Sequence, residues 1–511
     1  MEEILEDQVV DGLSPLLRET AGREDDNSDA GDEMEDDLTW WHTYKSSFVV
    51  YIAVCLVDSL EYGVIMPSLF TYLRSLDRGT SSEYQINFQY GYIMASFSFA
   101  SLILKPVLGY LADHRPFLET MVWSTMLAMT GNLLYFFTEF LTRGESGPQA
   151  VFPLLLAARL MAGAGTANTS LSFAFVARTV PSKNRTKFIG SISLIRVMGF
   201  LLGPAMNVIT SVMNFHIGEI EVNPNNSPGL LIFIINIPLL ILMAVFLTEP
   251  PPYVEDNTQA QLTAQNRLRN TTKYCSFPLA LCFANILVFN FLIGCLEAVI
   301  VPATSVAFNW TPLQNSYVYL GITGLATVSS ITVISCSHRI EDRTFLMIAA
   351  AVGVVATSAM RLGYYYDMSV LQFWAASLLM ALPVSLGFPT NRSIFSRLIE
   401  GSTSQAFLSS ALSVFGSLGS MLGPYWAAVG LGERPEKRVH ERIASLAVTG
   451  CIIITSTLAI ANFLVLFVLK TDEPILNGST RVVPIESDLE YQPLAGEQIG
   501  GHAQEQQRRP H

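Results

Sequence analysis

Charged residues are scarce in this chain. Asp, Glu, Lys and Arg make up 14% of its 511 residues, whereas hydrophobic residues make up 50%. This composition excludes an ordinary soluble protein of such length and indicates a membrane protein. The net charge of −13 does not describe the body of the chain, because residues 1–39 hold fifteen Asp and Glu against two Arg. The acidity therefore belongs to an N-terminal tail.

Several patterns that would support other chemistry are missing. The six cysteines lie in or beside apolar runs without C-x-x-C spacing, which disfavours disulfides and zinc. The sequence has no G-x-x-x-x-G-K-[ST] motif, which argues against ATP-driven pumping. No nucleophile–base pair or metal cluster is recognisable, so we expect no enzyme, cofactor or bound metal, and no nucleic-acid partner. The first residues lack the basic region of a signal peptide.

Twelve long apolar runs are present. Each has about 20 to 28 residues, enough for a helix to cross a hydrocarbon core about 30 Å thick. The runs occupy residues 48–73, 85–108, 118–140, 151–177, 187–213, 229–248, 278–306, 314–337, 344–366, 370–397, 404–430 and 444–469. They predict an all-α membrane protein with twelve transmembrane helices in two pseudo-symmetric six-helix bundles.

The same runs predict the domain organisation. We expect an acidic disordered cytosolic tail over 1–47, an N-terminal bundle over 48–248, a cytosolic linker over 249–277, a C-terminal bundle over 278–469 and a disordered cytosolic tail over 470–511.

The two halves of the chain resemble each other. Glu61 stands before Pro67 in the first span, and Glu297 stands before Pro302 in the seventh. A second repeated pattern, G-x-x-x-G-P, places small residues where they let helices approach closely. Its residues are Gly199, Gly203 and Pro204 in the fifth span, and Gly419, Gly423 and Pro424 in the eleventh. Such a repeat is typical of duplicated secondary transporters.

Five charged residues are predicted to lie deep in the membrane: Asp58, Glu61, Arg159, Arg196 and Glu297. A charge at that depth costs at least about 2.5 kcal/mol unless it is paired, protonated or placed in a water-filled cavity. Two interpretations stay open. The residues form a structural ion pair, or they line a central cavity in which a carboxyl changes its partner and its proton. None of the seven histidines lies in the middle of a span, so we expect a carboxyl to be the titrating group.

Three motifs resemble those of the major facilitator superfamily. Gly109-Tyr110-Leu111-Ala112-Asp113-His114-Arg115 is similar to its signature loop, Arg159-x-x-x-Gly163-x-Gly165 to its buried-arginine motif, and Gly199 to Pro204 to its fifth-span motif. The segments ARLMAGAGTAN (158–168), CLEAVIVPATSVAFNWT (295–311) and SLGFPTN (385–391) resemble the branch that includes the lysosomal neuronal ceroid lipofuscinosis type-seven protein, also called major facilitator superfamily domain-containing protein eight. The resemblance implies that Gly109, Asp113 and Arg115 form a cytosolic gating latch.

Loop charges and tail motifs predict topology and location. Loops after even-numbered spans carry eleven Lys and Arg against eight in the opposite loops, which places both termini in the cytosol. Asn225 and Asn309 are then luminal glycosylation candidates. Tyr491 and Leu494 fit a motif that clathrin adaptors bind. We expect a multi-pass protein of the lysosomal or late endosomal bilayer, with the plasma membrane as the alternative.

Together these patterns favour a secondary transporter that moves a small solute, coupled to protons, across an endolysosomal membrane. Two alternatives remain. One is an anion channel, in which Arg159 and Arg196 attract the ion. The other is a non-transporting membrane scaffold or sensor that uses the acidic tail for recruitment.

Overall fold

The computed structural model describes residues 29–144, 147–180, 182–250, 277–336, 340–365, 369–398, 405–430 and 451–463. The predicted sorting residues Tyr491 and Leu494, nearly all of the linker and the C-terminal tail lie outside the described residues. The N-terminal half contains α1 (Asp29–Asp77), α2 (Glu83–His114), α3 (Phe117–Leu141), α4 (Gly147–Gly165), α5 (Asn168–Thr179), α6 (Ser182–Ser211), β1 (Phe215–Ile217), β2 (Ile220–Val222) and α7 (Ser227–Phe246). The C-terminal half contains α8 (Phe277–Ala307), α9 (Pro312–Cys336), α10 (Asp342–Tyr365), α11 (Val370–Leu398), α12 (Gln405–Gly430) and α13 (Cys451–Phe463).

The described helices lie at the positions of the predicted spans, and the fourth span corresponds to two helices. Within the described ranges, nine helical segments are long and apolar enough to cross a membrane, the segment Gly147–Val176 being α4 and α5 taken together. The helices α3 and α12 and the shorter apolar α13 stand at the positions of the third, eleventh and twelfth predicted spans. The prediction of an all-α membrane fold is confirmed.

Contacts between loops define two sides of the molecule. On the terminus side, where α1 enters the bundle, the Glu249 carboxylate accepts hydrogen bonds from the amides of Phe117 (2.8 Å) and Leu118 (2.9 Å) at the start of α3. On the opposite side, β1 and β2 form an antiparallel hairpin, and Asn223 next to it donates a hydrogen bond to Glu139 (2.7 Å) near the end of α3. We call these the terminus side and the hairpin side.

Glycines bring two pairs of helices together in pseudo-symmetric positions. On α6, a Cβ atom at Gly203 would lie 2.6 Å from the Cα atom of Gly63 on α1. On α12, a Cβ atom at Gly423 would lie 2.5 Å from the main-chain oxygen of Phe291 on α8. The following proline packs on a glycine in both halves, because Pro204 contacts Gly63 and Pro424 contacts Gly294. The two halves therefore share a close glycine-mediated helix crossing at equivalent positions.

The remaining glycines of the predicted packing motifs also lie against neighbouring helices. Gly163 of α4 faces the main-chain oxygen of Phe97 on α2, and a Cβ atom there would lie 2.1 Å from it. Gly199 and Gly419 face main-chain oxygens of α1 and α8, with corresponding distances of 2.6 and 2.2 Å.

The first helix begins earlier than predicted. Residues 29–47 belong to α1, so the prediction of disorder up to residue 47 is wrong for this segment. The reason is a stripe of aromatic residues, Trp40, Tyr44 and Phe48, spaced four apart and thus on one helix face. The rings of Trp40 and Phe48 both pack edge-on against Phe188 of α6, at centroid distances of 4.6 and 4.7 Å. This contact stabilises helical structure beyond the apolar run.

The predicted fourth span is two helices rather than one. The helix α4 ends at Gly165 and α5 begins at Asn168. Gly165 packs against Ala128 of α3, and its main-chain oxygen accepts a hydrogen bond from Ser124 Oγ (2.7 Å). This hydrogen bond gives the Gly165 carbonyl a partner at the break. A backbone that leaves the helical conformation at membrane depth requires such partners within the protein.

We expect Gly423→Ala to destabilise the protein, because the new methyl group would collide with the backbone of α8 rather than with a flexible side chain. Overpacking of this kind costs about 1–3 kcal/mol. Thermal unfolding in detergent checks it, with Gly324→Ala on α9 as the matched control, since no atom lies within 4 Å of a Cβ atom there. The control should be neutral or slightly stabilising, because alanine favours helix over glycine. Equal melting temperatures for the two variants would contradict the assigned crossing.

Candidate functional site between the two halves

The two halves meet along helices that carry the predicted buried charges. The N-terminal helices α1, α2 and α6 contact α8, α9 and α12 of the C-terminal half. On the hairpin side, Gly91 of α2 packs against Ala428 of α12, and the rings of Tyr92 and Tyr425 lie 5.4 Å apart. The polar side chains described next lie at or near this interface.

Glu61 is almost completely buried on α1, with 1% of its surface exposed. Its Oε1 atom accepts a hydrogen bond from Asn132 Nδ2 of α3 at 2.9 Å. Asn132 also donates to the main-chain oxygen of Ala128, which fixes the orientation of the amide. A neutral donor therefore satisfies the carboxyl, in place of the direct cation contact that an ion pair would provide.

Arg159 lies close by on α4 and is also buried, with 1% exposed. Its Cζ atom sits 4.4 Å from the ring centroid of Phe97, a cation–π contact. None of its three guanidinium nitrogens has a hydrogen-bond partner among the described residues. Its charge acts on Glu61 across a distance longer than a hydrogen bond. The structural ion pair considered from the sequence is thus not formed as a direct contact here.

Glu297 of α8 is bound from the other half of the protein. Its Oε2 atom accepts a hydrogen bond of 2.8 Å from the hydroxyl of Tyr62 on α1. The Tyr62 ring in turn packs against Phe97 and Phe200, at centroid distances of 5.1 and 5.8 Å. Tyr62 therefore links Glu297, the acid of the second half that corresponds to Glu61, to the aromatic rings near Arg159.

Asp58 stands one helical turn before Glu61 and has different partners. Its Oδ2 atom accepts a hydrogen bond from Thr169 Oγ1 (3.1 Å), just after the break between α4 and α5. Arg196 of α6 and Lys105 of α2 lie near enough for their charges to act on this carboxyl. The five predicted residues thus lie in two neighbouring groups, Glu61 with Arg159 and Glu297, and Asp58 with Arg196.

The other predicted residues lie away from this interface. Gly109 and Arg115 are at the terminus-side end of α2, where Arg115 forms an exposed pair with Glu119 (3.6 Å), and the side chain of Asp113 is outside the described residues. On the hairpin side, Asn225 is half-buried and its Oδ1 atom has no hydrogen-bond partner in the described structure. Asn309 is exposed in the turn between α8 and α9. Of the two glycosylation candidates, Asn309 is the more accessible.

Four polar residues at or near the interface were missed by the sequence analysis: Tyr62, Lys105, Asn132 and Arg392. Lys105 lies within the second predicted span, and Arg392 follows Asn391 within the tenth. Their charge at membrane depth is the same signal that identified Arg159, so both could have been found. Tyr62 and Asn132 carry no charge, and only the geometry of the helices distinguishes them from other polar residues of the spans.

The described residues hold nine helical segments that can span a membrane, in two similar halves with ionisable side chains where the halves meet, and this arrangement defines a multi-pass membrane protein of the secondary-transporter fold. The family model described as Major Facilitator Superfamily matches residues 48–424, most of the chain. The chain belongs to this superfamily, as its motifs indicated.

Three comparisons describe this relationship. Major facilitator superfamily domain-containing protein 8 of Xenopus laevis is 27% identical over 298 residues, which cover 55% of this chain and 54% of the relative, so the match spans about half of each protein. Tetracycline resistance protein, class H, of Pasteurella multocida is 23% identical over 61% of this chain and 72% of that protein. A crystal structure of a D-xylose-proton symporter superposes with a TM-score of 0.66, at 12% identity over 82% of this chain and 97% of that chain. The last likeness concerns the fold alone.

We expect the Tyr62–Glu297 hydrogen bond to couple the halves energetically. In a double-mutant cycle of Tyr62→Phe and Glu297→Leu, the two losses of stability should be non-additive, with a coupling energy of about 0.5–3 kcal/mol. Thermal or denaturant unfolding in detergent measures it. Tyr317→Phe, at an exposed tyrosine of α9, is the control and should leave stability unchanged. Additive effects would mean that the bond does not link the halves in solution.

Proposed function

We propose that this protein is a secondary active transporter that moves a small solute by alternating access and couples the movement to protons, in an endolysosomal membrane. The observation that carries the proposal is the binding of three carboxyls, two of them buried and one half-buried, by neutral donors at or near the interface of the halves. Thr169, Asn132 and Tyr62 donate to Asp58, Glu61 and Glu297, respectively. Membership of the major facilitator superfamily supports transport.

Neutral donors suit a group that changes its protonation state. A carboxylate locked to an arginine is held in its charged form, whereas a buried carboxyl that accepts a hydrogen bond from an amide or hydroxyl keeps that bond in either form. Two acids one turn apart on a helix, Asp58 and Glu61, also repel each other when both are charged. At least one of them is therefore suited to hold a proton.

Arg159 supplies the second state that coupling requires. Its guanidinium lacks a hydrogen-bond partner among the described residues and lies beside Glu61, so a small shift of α1 relative to α4 would join the two. In that arrangement Glu61 would be ionised, and in the arrangement described here it can be neutral. A solute or proton that binds one arrangement more tightly shifts the population toward that arrangement.

Alternating access requires the contacts between the halves to break and re-form. The Tyr62–Glu297 hydrogen bond and the Gly91–Ala428 packing both cross the interface. Each involves a single polar bond or a small apolar contact, which suits a surface that must open. The endolysosomal location is supported by the relationship to major facilitator superfamily domain-containing protein 8 and by the adaptor-like motif at Tyr491.

We expect Glu61→Gln to abolish pH-driven uptake and to leave solute exchange partly intact, because glutamine mimics the protonated carboxyl. Arg159→Ala should disable both activities. The measurement uses proteoliposomes with an internal pH dye, in which a library of small solutes is screened for solute-evoked proton entry and the responding solute is then followed by radiolabel. Glu83→Gln, at an exposed acid paired with Arg74 on the hairpin side, is the matched control and should behave as the parent.

Three outcomes would reject this mechanism. Unchanged pH dependence in Glu61→Gln would make Glu61 a structural residue. An ohmic, anion-selective current without saturable uptake would identify a channel, and full activity in cells after neutralisation of all the buried charges would favour a scaffold.

We expect Tyr491→Ala to move the protein away from lysosomes, because this tyrosine lies in a polar tail about 20 residues beyond the last predicted span, within reach of an adaptor at the membrane surface. Imaging of the full-length variant with a lysosomal marker measures it. Tyr44→Phe, a change in the helical N-terminal segment, is the control. Unchanged lysosomal residence of Tyr491→Ala would assign sorting to another signal.

A further inference from the structure

A group of three cationic side chains lies at the interface on the terminus side of the acids. Lys105 belongs to α2, Arg196 to α6 and Arg392 to α11, and we call them the cationic triad. Each of the three lies within electrostatic range of the other two. Lys105 stands nine residues before the end of α2, and Arg392 stands six before the end of α11, so both lie in the terminus-side half of the membrane.

The triad has few partners for its charge. The charges that act on Lys105 are those of Arg196, Arg392 and a single carboxylate, Asp58. Asp58 itself is bound by Thr169 rather than by a cation. Among the described groups that act on Lys105, two are positive and one is negative, and repulsion among like charges at membrane depth costs free energy that a bound anion would offset.

Their hydrogen-bonding capacity is also incompletely used. The Nε atoms of Arg196 and Arg392 are buried and have no hydrogen-bond partner in the part of the chain that the structure describes. The Cζ atom of Arg392 lies 5.0 Å from the ring centroid of Phe388, a cation–π contact. The Lys105 ammonium carries three donors, and its described hydrogen bond to Ser417 Oγ (2.6 Å) uses one of them.

The triad spans both halves of the protein. Lys105 and Arg196 come from the N-terminal half and Arg392 from the C-terminal half, while the bond from Lys105 to Ser417 of α12 crosses between them. A ligand with two or more acceptor oxygens could bind one half through Lys105 and Arg196 and the other through Arg392. The planar guanidinium can donate two parallel hydrogen bonds to a carboxylate or phosphate group. A spherical ion such as chloride cannot accept both bonds in this geometry.

We propose that the cationic triad binds the carboxylate or phosphate group of the transported solute, so that the substrate is a small organic anion. This inference rests on the proposed transport function and specifies its substrate class. Arg392 is the contact of the C-terminal half, and its attraction to an anion held by Lys105 and Arg196 draws the halves together around the solute.

The test uses the purified full-length protein in detergent and in proteoliposomes. The thermal shift is measured with a panel of succinate, citrate, lactate and glucose 6-phosphate, and with glucose, glycine betaine, choline and chloride for comparison. We expect one or more organic anions to raise the melting temperature saturably. Arg392→Gln should weaken the apparent affinity for that anion at least tenfold, Arg392→Lys should restore part of it, and Arg74→Gln, at an exposed arginine on the hairpin side, should not change it. Size-exclusion chromatography selects folded variants.

Each result decides the question. Carboxylates alone or phosphates alone among the stabilising anions would identify the head group that the triad prefers and would support the proposal. Absence of a shift with every organic anion, or an anion affinity that Arg392→Gln leaves unchanged, would overturn it. Because binding is measured in detergent, these outcomes are independent of the proteoliposome assay with Glu61→Gln. Saturable, pH-driven uptake of a neutral solute that Arg392→Gln does not affect would reject the organic-anion assignment and leave proton-coupled transport standing.

Discussion

Helices inside a membrane gain little from hiding apolar side chains from one another, since the lipid is equally apolar, so close van der Waals contact must hold them together. In this protein that contact is made where Gly63 meets Gly203 and where Gly294 meets Gly423 and Pro424. Both crossings bring a proline-bearing helix against the first helix of its half. The positions of Asp58, Glu61 and Glu297 follow from them, because all three acids lie on those two first helices, within one or two turns of the crossing glycines.

Polar side chains depend on this packing in turn. At the short distances that glycine allows, a side chain of one helix reaches its neighbour directly, as Asn132 reaches Glu61 and Asn207 reaches the main-chain oxygen of Val64. In the second half, Asn285 of α8 donates hydrogen bonds to Asn391 of α11 and Asn462 of α13, and it accepts one from Asn462. Amide side chains serve here as both donors and acceptors. Each hydrogen bond between them avoids the free-energy cost of an unpaired polar group in the membrane interior.

The architecture could be predicted from the sequence because membrane thickness sets the length of every span. The duplicated acids and G-x-x-x-G-P patterns can also be recognised directly in the sequence. Sequence reasoning identified Glu61, Arg159 and Glu297 for the same reason, since a charge in an apolar run is conspicuous. It could not identify Tyr62 as the partner of Glu297, because 235 residues separate them and an aromatic residue in a span is ordinary. The early start of α1 was within reach through Trp40, Tyr44 and Phe48. The break after Gly165 was not, because it depends on how closely α3 approaches.

The interruption between α4 and α5 has a mechanical consequence. The helix α4 packs closely through Gly163 against α2 and through Gly165 against α3, so we expect the three helices to move together. Only Thr166 and Ala167 join it to α5, whose Thr169 is bound to Asp58. A helix without an interruption would transmit a tilt along its whole length, whereas at this joint α5 could tilt with α1 without displacing Arg159. Through this joint, a movement of Asp58 would not have to displace Arg159, which lies beside Glu61.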